Sequence, residues 1–286
     1  MRIALIQVPY HLGREGVGMG VGPIRLLEGG AAAALAEAGH DVELVRVASR
    51  NGETNEVGAS FAVVRRVAEA VARATEGGAF PLVLAGNCLS SLGVVAGLGR
   101  DVGVVWLDAH ADFNTPETTR SGFQDGMGLS ILTGTGWRAL RETVPGFRVV
   151  AEANVVLVGV RDVDELEQER LDASAIHVVP PADAARADET LDQLRKRVDA
   201  VYLHLDLDVL DPAEGRANEY ASPGGLAAAD VEELVGAVAG RFAIHAAALT
   251  AYDPVGDPEG RIPPLAARLM RRIAAGAEAG IEALPR

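Results

Sequence analysis

Eight short apolar runs, separated by longer segments rich in Ala, Leu and Glu, restrict this chain to a few folds. The runs are Ile3–Val8, Val42–Val47, Pro81–Ala85, Val102–Leu107, Val155–Val160, His177–Val179, Val201–Leu205 and Ala243–Leu249. Between them, helical composition or spacing is found in Gly22–Ala38, Thr54–Thr75, Val163–Leu171, Ala182–Val198, Ala227–Val238 and Pro263–Ala283. This alternation predicts a parallel sheet covered by helices on both faces. The pattern alone does not decide between an open doubly wound sheet and a closed barrel.

Polar segments follow four of these runs. They are Gly86–Cys88, Asp108–Asn114, Arg161–Asp164 and Asp206–Asp211. Ligands bind beyond the carboxyl ends of the strands in both candidate folds, so we expect these segments to meet at one rim. The Gly-rich segment His11–Gly22 and the irregular segment Asn114–Gly126 are expected at the same rim.

Composition excludes several classes of protein. A formal net charge of −14 argues against general nucleic-acid binding, which depends on clustered Lys and Arg. No apolar run reaches the length of a membrane span, and no signal-peptide pattern is found at the N-terminus. The single cysteine, Cys88, favours a reducing compartment, so we expect a cytoplasmic protein.

Two motifs place metal-type ligands at strand ends. Asp108, His110 and Asp112 alternate after one apolar run, and Asp206 and Asp208 alternate after another. On an extended chain, each set lies on one face. The alternative is a solvated turn with capping aspartates, but two such motifs favour a site. Grouped carboxylates repel unless cations offset them, and carboxylates with one imidazole suit Mn²⁺, with Zn²⁺, Fe²⁺ or Ni²⁺ as alternatives. Two metals that share a water would lower its pKa, which indicates metal-assisted hydrolysis.

The segments DAHADFN and HLDLDVLDP, with SPGGL at 222–226 and GVRDVD at 159–164, resemble the arginase (ureohydrolase) family. The resemblance covers essentially the whole chain. It implies one domain over residues 1–286 with a three-layer α-β-α fold and a central parallel sheet of eight strands. It also implies a dimanganese centre, hydrolysis of guanidino C–N bonds in a small substrate, and trimers or hexamers.

The resemblance implies a ligand set. Asp108 and Asp206 would bridge both metals, Asp112 would complete one shell, and His110 and Asp208 would serve the other. The remaining family ligand is a His, but here the segment AGNCLS places Cys88 at that position. A thiolate can bind a divalent ion and is kept deprotonated by it, so Cys88 is predicted to be a ligand. The alternative is a small buried apolar residue.

Two further departures concern catalysis. The family's proton-shuttling His precedes a Gly, and here the pair is Asp125 and Gly126. The family's guanidinium-binding Glu is replaced by Ala251. Loss of a bidentate carboxylate partner should weaken binding of plain arginine, although Asp125 could partly compensate as a carboxylate or as an acid/base group.

The amino-acid end of the family's substrate site is largely retained. Asn114, Thr119 and Ser121 match positions around the substrate α-carboxylate, and Asp164 matches a position around the α-amino group, whereas Phe123 replaces an Asn. An arginine analogue with a modified guanidino group is therefore predicted, and N-hydroxyarginine is the first candidate. The alternatives are a hydrolase of agmatine, a guanidino acid or a formimino compound, and an inactive metal-binding relative.

Two histidines have open roles. His204 shares the face of Asp206 and Asp208, so it could orient a ligand carboxylate or move protons, or be a hydrogen-bonded core residue. His11 follows the first strand and could replace the missing shuttle, or be part of the polar surface.

Overall fold

The central element is an open eight-stranded sheet. The computed structural model describes residues 1–48 and 55–282. The strands are β1 (Arg2–Val8), β4 (Asp41–Arg46), β5 (Phe80–Ala85), β6 (Gly103–Leu107), β7 (Val155–Val158), β8 (His177–Val179), β9 (Ala200–Asp206) and β10 (Ala243–Thr250), while β2 (Tyr10–His11) and β3 (Arg14–Glu15) form a separate hairpin. The order β4-β1-β5-β10-β9-β6-β7-β8, with every pair parallel, excludes the barrel.

Helices cover both faces of the sheet, as predicted. They are α1 (Gly22–Glu28), α2 (Ala31–Glu37), α3 (Glu56–Glu76), α4 (Ser91–Gly97), α5 (Gly128–Leu132), α6 (Arg138–Arg141), α7 (Glu165–Asp172), α8 (Ala187–Arg195), α9 (Ala228–Ala239) and α10 (Ile262–Glu282). The faces are visible in β1, where Ile3 and Leu5 belong to the core beneath α9 and α10, and Ala4 and Ile6 belong to the core beneath α3. This period of two is that of a strand buried on both faces, and it yields the predicted three layers.

Several helix predictions need correction. The segment Gly22–Ala38 forms two helices, because Gly30 has a φ of +94° that a continuous helix does not allow. The segment Ala182–Val198 begins with a 3₁₀ stretch before α8. Thr54 and Ala283, the predicted limits of two other helices, lie outside the described residues.

The three helices that the sequence did not predict are α4, α5 and α6. All seven residues of α4 (SLGVVAG) are buried, so the segment lacks the polar face by which a helix is recognised in a sequence. Within residues 1–48 and 55–282, no helix is long and apolar enough to cross a membrane.

Candidate metal centre

The strand order brings the two ligand motifs together at the middle of the sheet. Because β6 pairs with β9 and Leu107 lies opposite Leu205, Asp108 and Asp206 follow at adjacent positions. Cys88 lies just beyond the end of β5, and its Sγ donates to Asp206 Oδ2 over 2.9 Å. One potential ligand atom each from Cys88, Asp108, Asp206 and His204 lies within 4.8 Å of the others.

A second group shares Asp108 with the first. Asp108, His110 and Asp208 each offer a ligand atom within 4.8 Å of the other two. The Nδ1 atom of His110 lies 3.4 Å from both Asp108 Oδ1 and Asp208 Oδ2. One carboxylate common to two clusters is the arrangement that a bridging ligand requires.

Asp112 lies beside these groups rather than inside them. Its backbone has a φ of +49°, its side chain is buried, and it lines the cavity in front of the centre. Its Oδ2 atom is buried and has no hydrogen-bond partner among the described residues. A buried carboxylate oxygen needs a partner, and a divalent cation in the cavity would supply it.

Electrostatics support the same interpretation. Burial raises the pKa of Asp108 to about 6, and burial together with neighbouring carboxylates raises the pKa values of Asp112 and Asp206 well above their usual range. Burial alone would lower the pKa of His110, but hydrogen bonds to Asp108 and Asp208 raise it to about 12. Burial, and then the charges of Asp206 and Asp112, raise the pKa of the Cys88 thiol. The cluster therefore holds protons that cations would displace, and its donor set fits two divalent ions.

A cavity of about 850 Å³ opens onto this cluster. All five positions predicted to bind substrate line it, and so does Asp125. They are Asn114, Thr119, Ser121, Asp164 and Ala251. Ala251 is buried with a φ of +61°, and its methyl group stands at the position predicted for the Glu.

Asp125 is held rigidly at the cavity wall. Asn87 Nδ2 donates to its Oδ2 over 2.6 Å, and the backbone N–H of Leu89 donates to its Oδ1 over 2.9 Å. These bonds favour the ionised form, but burial outweighs them and raises the pKa of Asp125 to about 7. A carboxyl group with that pKa can accept and return a proton near neutral pH.

The two histidines with open roles lie apart from the cavity wall. His204 is fully buried beneath the centre, its ring is stacked on Trp106 with centroids 3.6 Å apart, and burial lowers its pKa to about 3. The ring of His11 lies 5.9 Å from that of Phe123, and its Nδ1 is buried without a hydrogen-bond partner. Phe123, and not His11, is among the described residues that line the cavity.

Among the cavity residues that the sequence did not indicate, Asn218 and Glu167 make hydrogen bonds that shape the site. Asn218 is buried, and its Nδ2 donates to Asp208 Oδ2 over 3.1 Å and to the Ala251 carbonyl over 2.8 Å. The Glu167 carboxylate accepts from the Phe113 N–H over 2.7 Å, and burial raises its pKa to about 7. Glu167 could have been noticed as an acid in the first turn of a helix that follows a strand-end motif, whereas Asn218 lies in an irregular loop and has no sequence signal.

The loop of residues 207–226, called the 207–226 loop below, is fastened by Arg161. The Arg161 Nη2 donates to the carbonyls of Asp208 over 2.8 Å and Ser222 over 2.7 Å. At the far end of the loop, the Asp211 carboxylate accepts the N–H groups of Gly224 and Gly225. A Cβ on Gly225 would lie 2.6 Å from both the backbone nitrogen of Asp211 and the carbonyl carbon of Leu210, which explains a glycine there. The SPGGL segment is therefore the closing contact of the loop that carries Asp208.

The metal-free protein is expected to lose stability as the pH rises from about 4 to about 7. Carboxyl groups with a folded pKa above their unfolded value stabilise the fold fully below the unfolded value, and this contribution is lost as the pH rises through the folded one. The raised groups are Asp108, Asp112, Asp125, Glu167 and Asp206. His11, His204 and His245, with lowered pKa values, act in the opposite direction but are outnumbered, and Asp208, whose pKa is also lowered, is ionised in both states over this range.

Thermal unfolding of the EDTA-treated protein across this range measures the effect. Each unit of pKa shift corresponds to about 1.4 kcal/mol, so the midpoint should fall by several degrees. Metal-loaded protein should not show the fall, since cations replace the protons. Equal midpoints for the metal-free protein at both ends of the range would contradict the expectation.

The sheet and the strand-end cluster together define a metal-dependent hydrolase of the α/β class. A sequence profile of the arginase family matches residues 1–276. The arginase of Bacillus caldovelox is 30% identical over 94% of this chain and 96% of its own length. The structure of the Bacillus cereus arginase superimposes with a TM-score of 0.86 at 28% identity, covering 96% of this chain and 98% of that one. An agmatine ureohydrolase of Thermoplasma volcanium has the same fold, with a TM-score of 0.73 at 21% identity.

The chain belongs to the arginase family. It is accordingly a hydrolase of guanidino C–N bonds, with a centre of the binuclear metal type that the family uses.

Proposed function

We propose that this enzyme hydrolyses N-hydroxyarginine, with two Mn²⁺ as cofactors, and releases a substituted urea. One observation carries the proposal. The cavity retains the residues predicted for an amino-acid end, whereas Ala251 replaces the carboxylate that would pair with a cationic guanidinium. An N-hydroxyguanidine is less basic than a guanidine, so it has less need of that partner.

The residues divide the work along the cavity. Asn114, Thr119 and Ser121 would bind the substrate α-carboxylate, and Asp164 the α-amino group, which sets the distance from the amino-acid end to the metal cluster. We infer that the ions are held by Cys88, Asp108, His110, Asp112, Asp206 and Asp208. When bound, two divalent ions supply a hydroxide nucleophile at neutral pH.

Asp125 is the group that we propose moves the proton. Its oxygens are fixed by Asn87 and Leu89, so the carboxyl group faces the cavity in one orientation. It would accept a proton as the nucleophile adds to the guanidino carbon and return it to the departing amine. Positioned acid–base groups of this kind contribute about 10²- to 10⁴-fold to rates.

A substrate screen tests the function. The protein is purified with Mn²⁺, metal per chain is measured, and arginine, N-hydroxyarginine, agmatine, guanidino acids and formimino compounds are compared by kcat/KM. N-hydroxyarginine should have the highest value. A higher value for arginine, which the names of the relatives favour, would overturn the proposed substrate, and metal binding without turnover of any compound would overturn hydrolysis itself.

The Ala251→Glu variant is expected to shift the preference toward arginine. A charge-assisted bond to the guanidinium is worth about 1.5–3 kcal/mol, which is roughly 10- to 100-fold in kcat/KM. Ala251 already has a positive φ, so the larger side chain adds little new backbone strain. Ala251→Gln, of equal size but neutral, is the matched control and should gain much less. An unchanged ratio of kcat/KM values in the Glu variant would contradict the role given to this position.

A further inference from the structure

A chain of buried polar groups lies directly beneath the metal cluster. Ser91, Tyr202, His204 and Thr250 are each at most 1% exposed, and they belong to α4, β9 and β10, where apolar side chains are the norm. A buried polar group stabilises a core only when it is hydrogen-bonded. The hydrogen-bond partners of these four residues therefore indicate the role of this group of polar side chains.

The hydrogen bonds connect the four residues in a line that ends on sulfur. Ser91 Oγ lies 2.9 Å from Tyr202 Oη and 2.9 Å from His204 Nδ1. The other ring nitrogen, Nε2, lies 3.3 Å from Thr250 Oγ1, which lies 3.2 Å from Cys88 Sγ. Parallel pairing of β9 with β10 sets Thr250 opposite Asp206, so this hydroxyl reaches the cluster from below.

When Cys88 is a thiolate, the hydrogen bonds along this line can run in only one direction, toward the sulfur. Among the described residues, Sγ has two hydrogen-bond partners, Asp206 and Thr250. An ionised Asp206 cannot donate, so only the Thr250 hydroxyl can donate to the sulfur. Thr250 Oγ1 also lies 3.4 Å from Asp206 Oδ2, but that distance is long for a bond between oxygens, whereas 3.2 Å is short for one to sulfur.

The remaining bonds then follow from the chemistry of imidazole. Thr250 Oγ1 gives its proton to sulfur and accepts one from His204 Nε2, and a neutral ring then has Nδ1 free to accept. Ser91 donates to Nδ1 and accepts from Tyr202. If Ser91 were lost, Tyr202 Oη, 3.0 Å from Nδ1, could donate instead. The ring itself is held in place by Trp106, stacked against it.

We propose that Thr250 and His204 are positioning residues for the Cys88 thiolate, and that this line of donors withdraws charge from the sulfur while it binds a divalent metal. A thiolate donates more charge to a metal than an imidazole does, which lowers the Lewis acidity of the ion. A hydrogen bond to the sulfur offsets that donation, in the way that outer hydrogen bonds tune other metal ligands. The inference rests on the metal-ligand role of Cys88 within the proposed function.

Co²⁺ is the probe that tests it, because a Co²⁺–thiolate bond has a charge-transfer band in the near ultraviolet. Thr250→Val removes the hydroxyl and keeps the shape of the side chain. We expect its Co²⁺ band to move to longer wavelength, because the sulfur then donates more charge to the ion. Its metal affinity should fall roughly tenfold, because the hydroxyl no longer orients the thiolate. Thr250→Ser should restore both, Ser91→Ala should leave both unchanged, and Cys88→Ser should have no band.

The outcomes are distinguishable. The same band position in Thr250→Val as in the unaltered protein would overturn the proposal, and so would the absence of a band in the unaltered protein. If Thr250→Val does not fold, Thr250→Ala removes the same hydroxyl with a smaller side chain, and the same shift is expected. The spectra need no substrate, so a band that shifts in a protein that fails to hydrolyse N-hydroxyarginine would support the donor line and overturn only the substrate.

Discussion

The Asp206→Asn variant is expected to lose at least about 10³-fold in kcat, which corresponds to about 4 kcal/mol of transition-state stabilisation. Asp206 is 3% exposed and accepts a hydrogen bond from Cys88. It lies next to Asp108, because the residues before them, Leu205 and Leu107, are paired on neighbouring strands. An amide of the same shape cannot supply the negative charge that two cations would share. Without both cations, the attacking water would lose the lowered pKa that the metals would give it.

Metal per chain and kcat are measured together for this variant. We expect both to fall, because a lost bridging ligand weakens the sites on both sides of it. Asp162→Asn is the matched control: Asp162 lines the same cavity but is exposed and lies outside the ligand groups. Full metal content with an unchanged kcat in Asp206→Asn would show that Asp206 is not a bridging ligand.

The Asp125→Asn variant is expected to lose about 10²- to 10⁴-fold in kcat with little change in KM. Asparagine keeps an oxygen that can accept the Leu89 N–H, and it loses the bond from Asn87 Nδ2, because its own NH2 group cannot accept. The amide cannot carry a proton between the nucleophile and the leaving amine. Burial raises the pKa of Asp125 to about 7, so its ionisation should produce one limb of the pH profile of kcat. That limb should disappear in the variant.

A variant of a second carboxyl group tests whether the pH dependence belongs to Asp125 or to Glu167. Burial also raises the pKa of Glu167 to about 7, and Glu167 lines the same cavity. The Glu167→Gln variant should keep the limb near pH 7. If the limb is lost in Glu167→Gln and kept in Asp125→Asn, the proton-transfer role belongs to Glu167.

The fold was predictable because strands that are buried on both faces of a sheet appear in the sequence as uninterrupted runs of apolar residues. Each predicted strand is present, and the run Val102–Leu107 differs from β6 by a single residue. The helices were predictable where one face is polar, as in α3, and not where the helix is wholly buried, as in α4. Gly29 and Gly30 divided one predicted helix, since a backbone break depends on a φ value that composition does not record.

The site was predictable where strand ends determine it. Asp108, His110, Asp206 and Asp208 converge because β6 and β9 are neighbours in register. Asn218 and Thr250 could not be assigned in this way. Asn218 reaches Asp208 only because the loop that carries it folds back, and Thr250 reaches Cys88 only because β10 lies between β5 and β9.

Arg161 fastens only part of the 207–226 loop. For the redesign of this enzyme, the cavity positions that contact Arg161 therefore differ from those that do not. Residues Glu219, Tyr220 and Ala221 line the cavity without bonding to Arg161, so they are the natural positions to randomise for new guanidino substrates. Ser222 and Gly225 differ from these positions: the Ser222 carbonyl accepts from the same guanidinium as the Asp208 carbonyl, and a Cβ on Gly225 would lie 2.6 Å from the Asp211 backbone nitrogen. Libraries that vary them would alter metal retention before they altered substrate range.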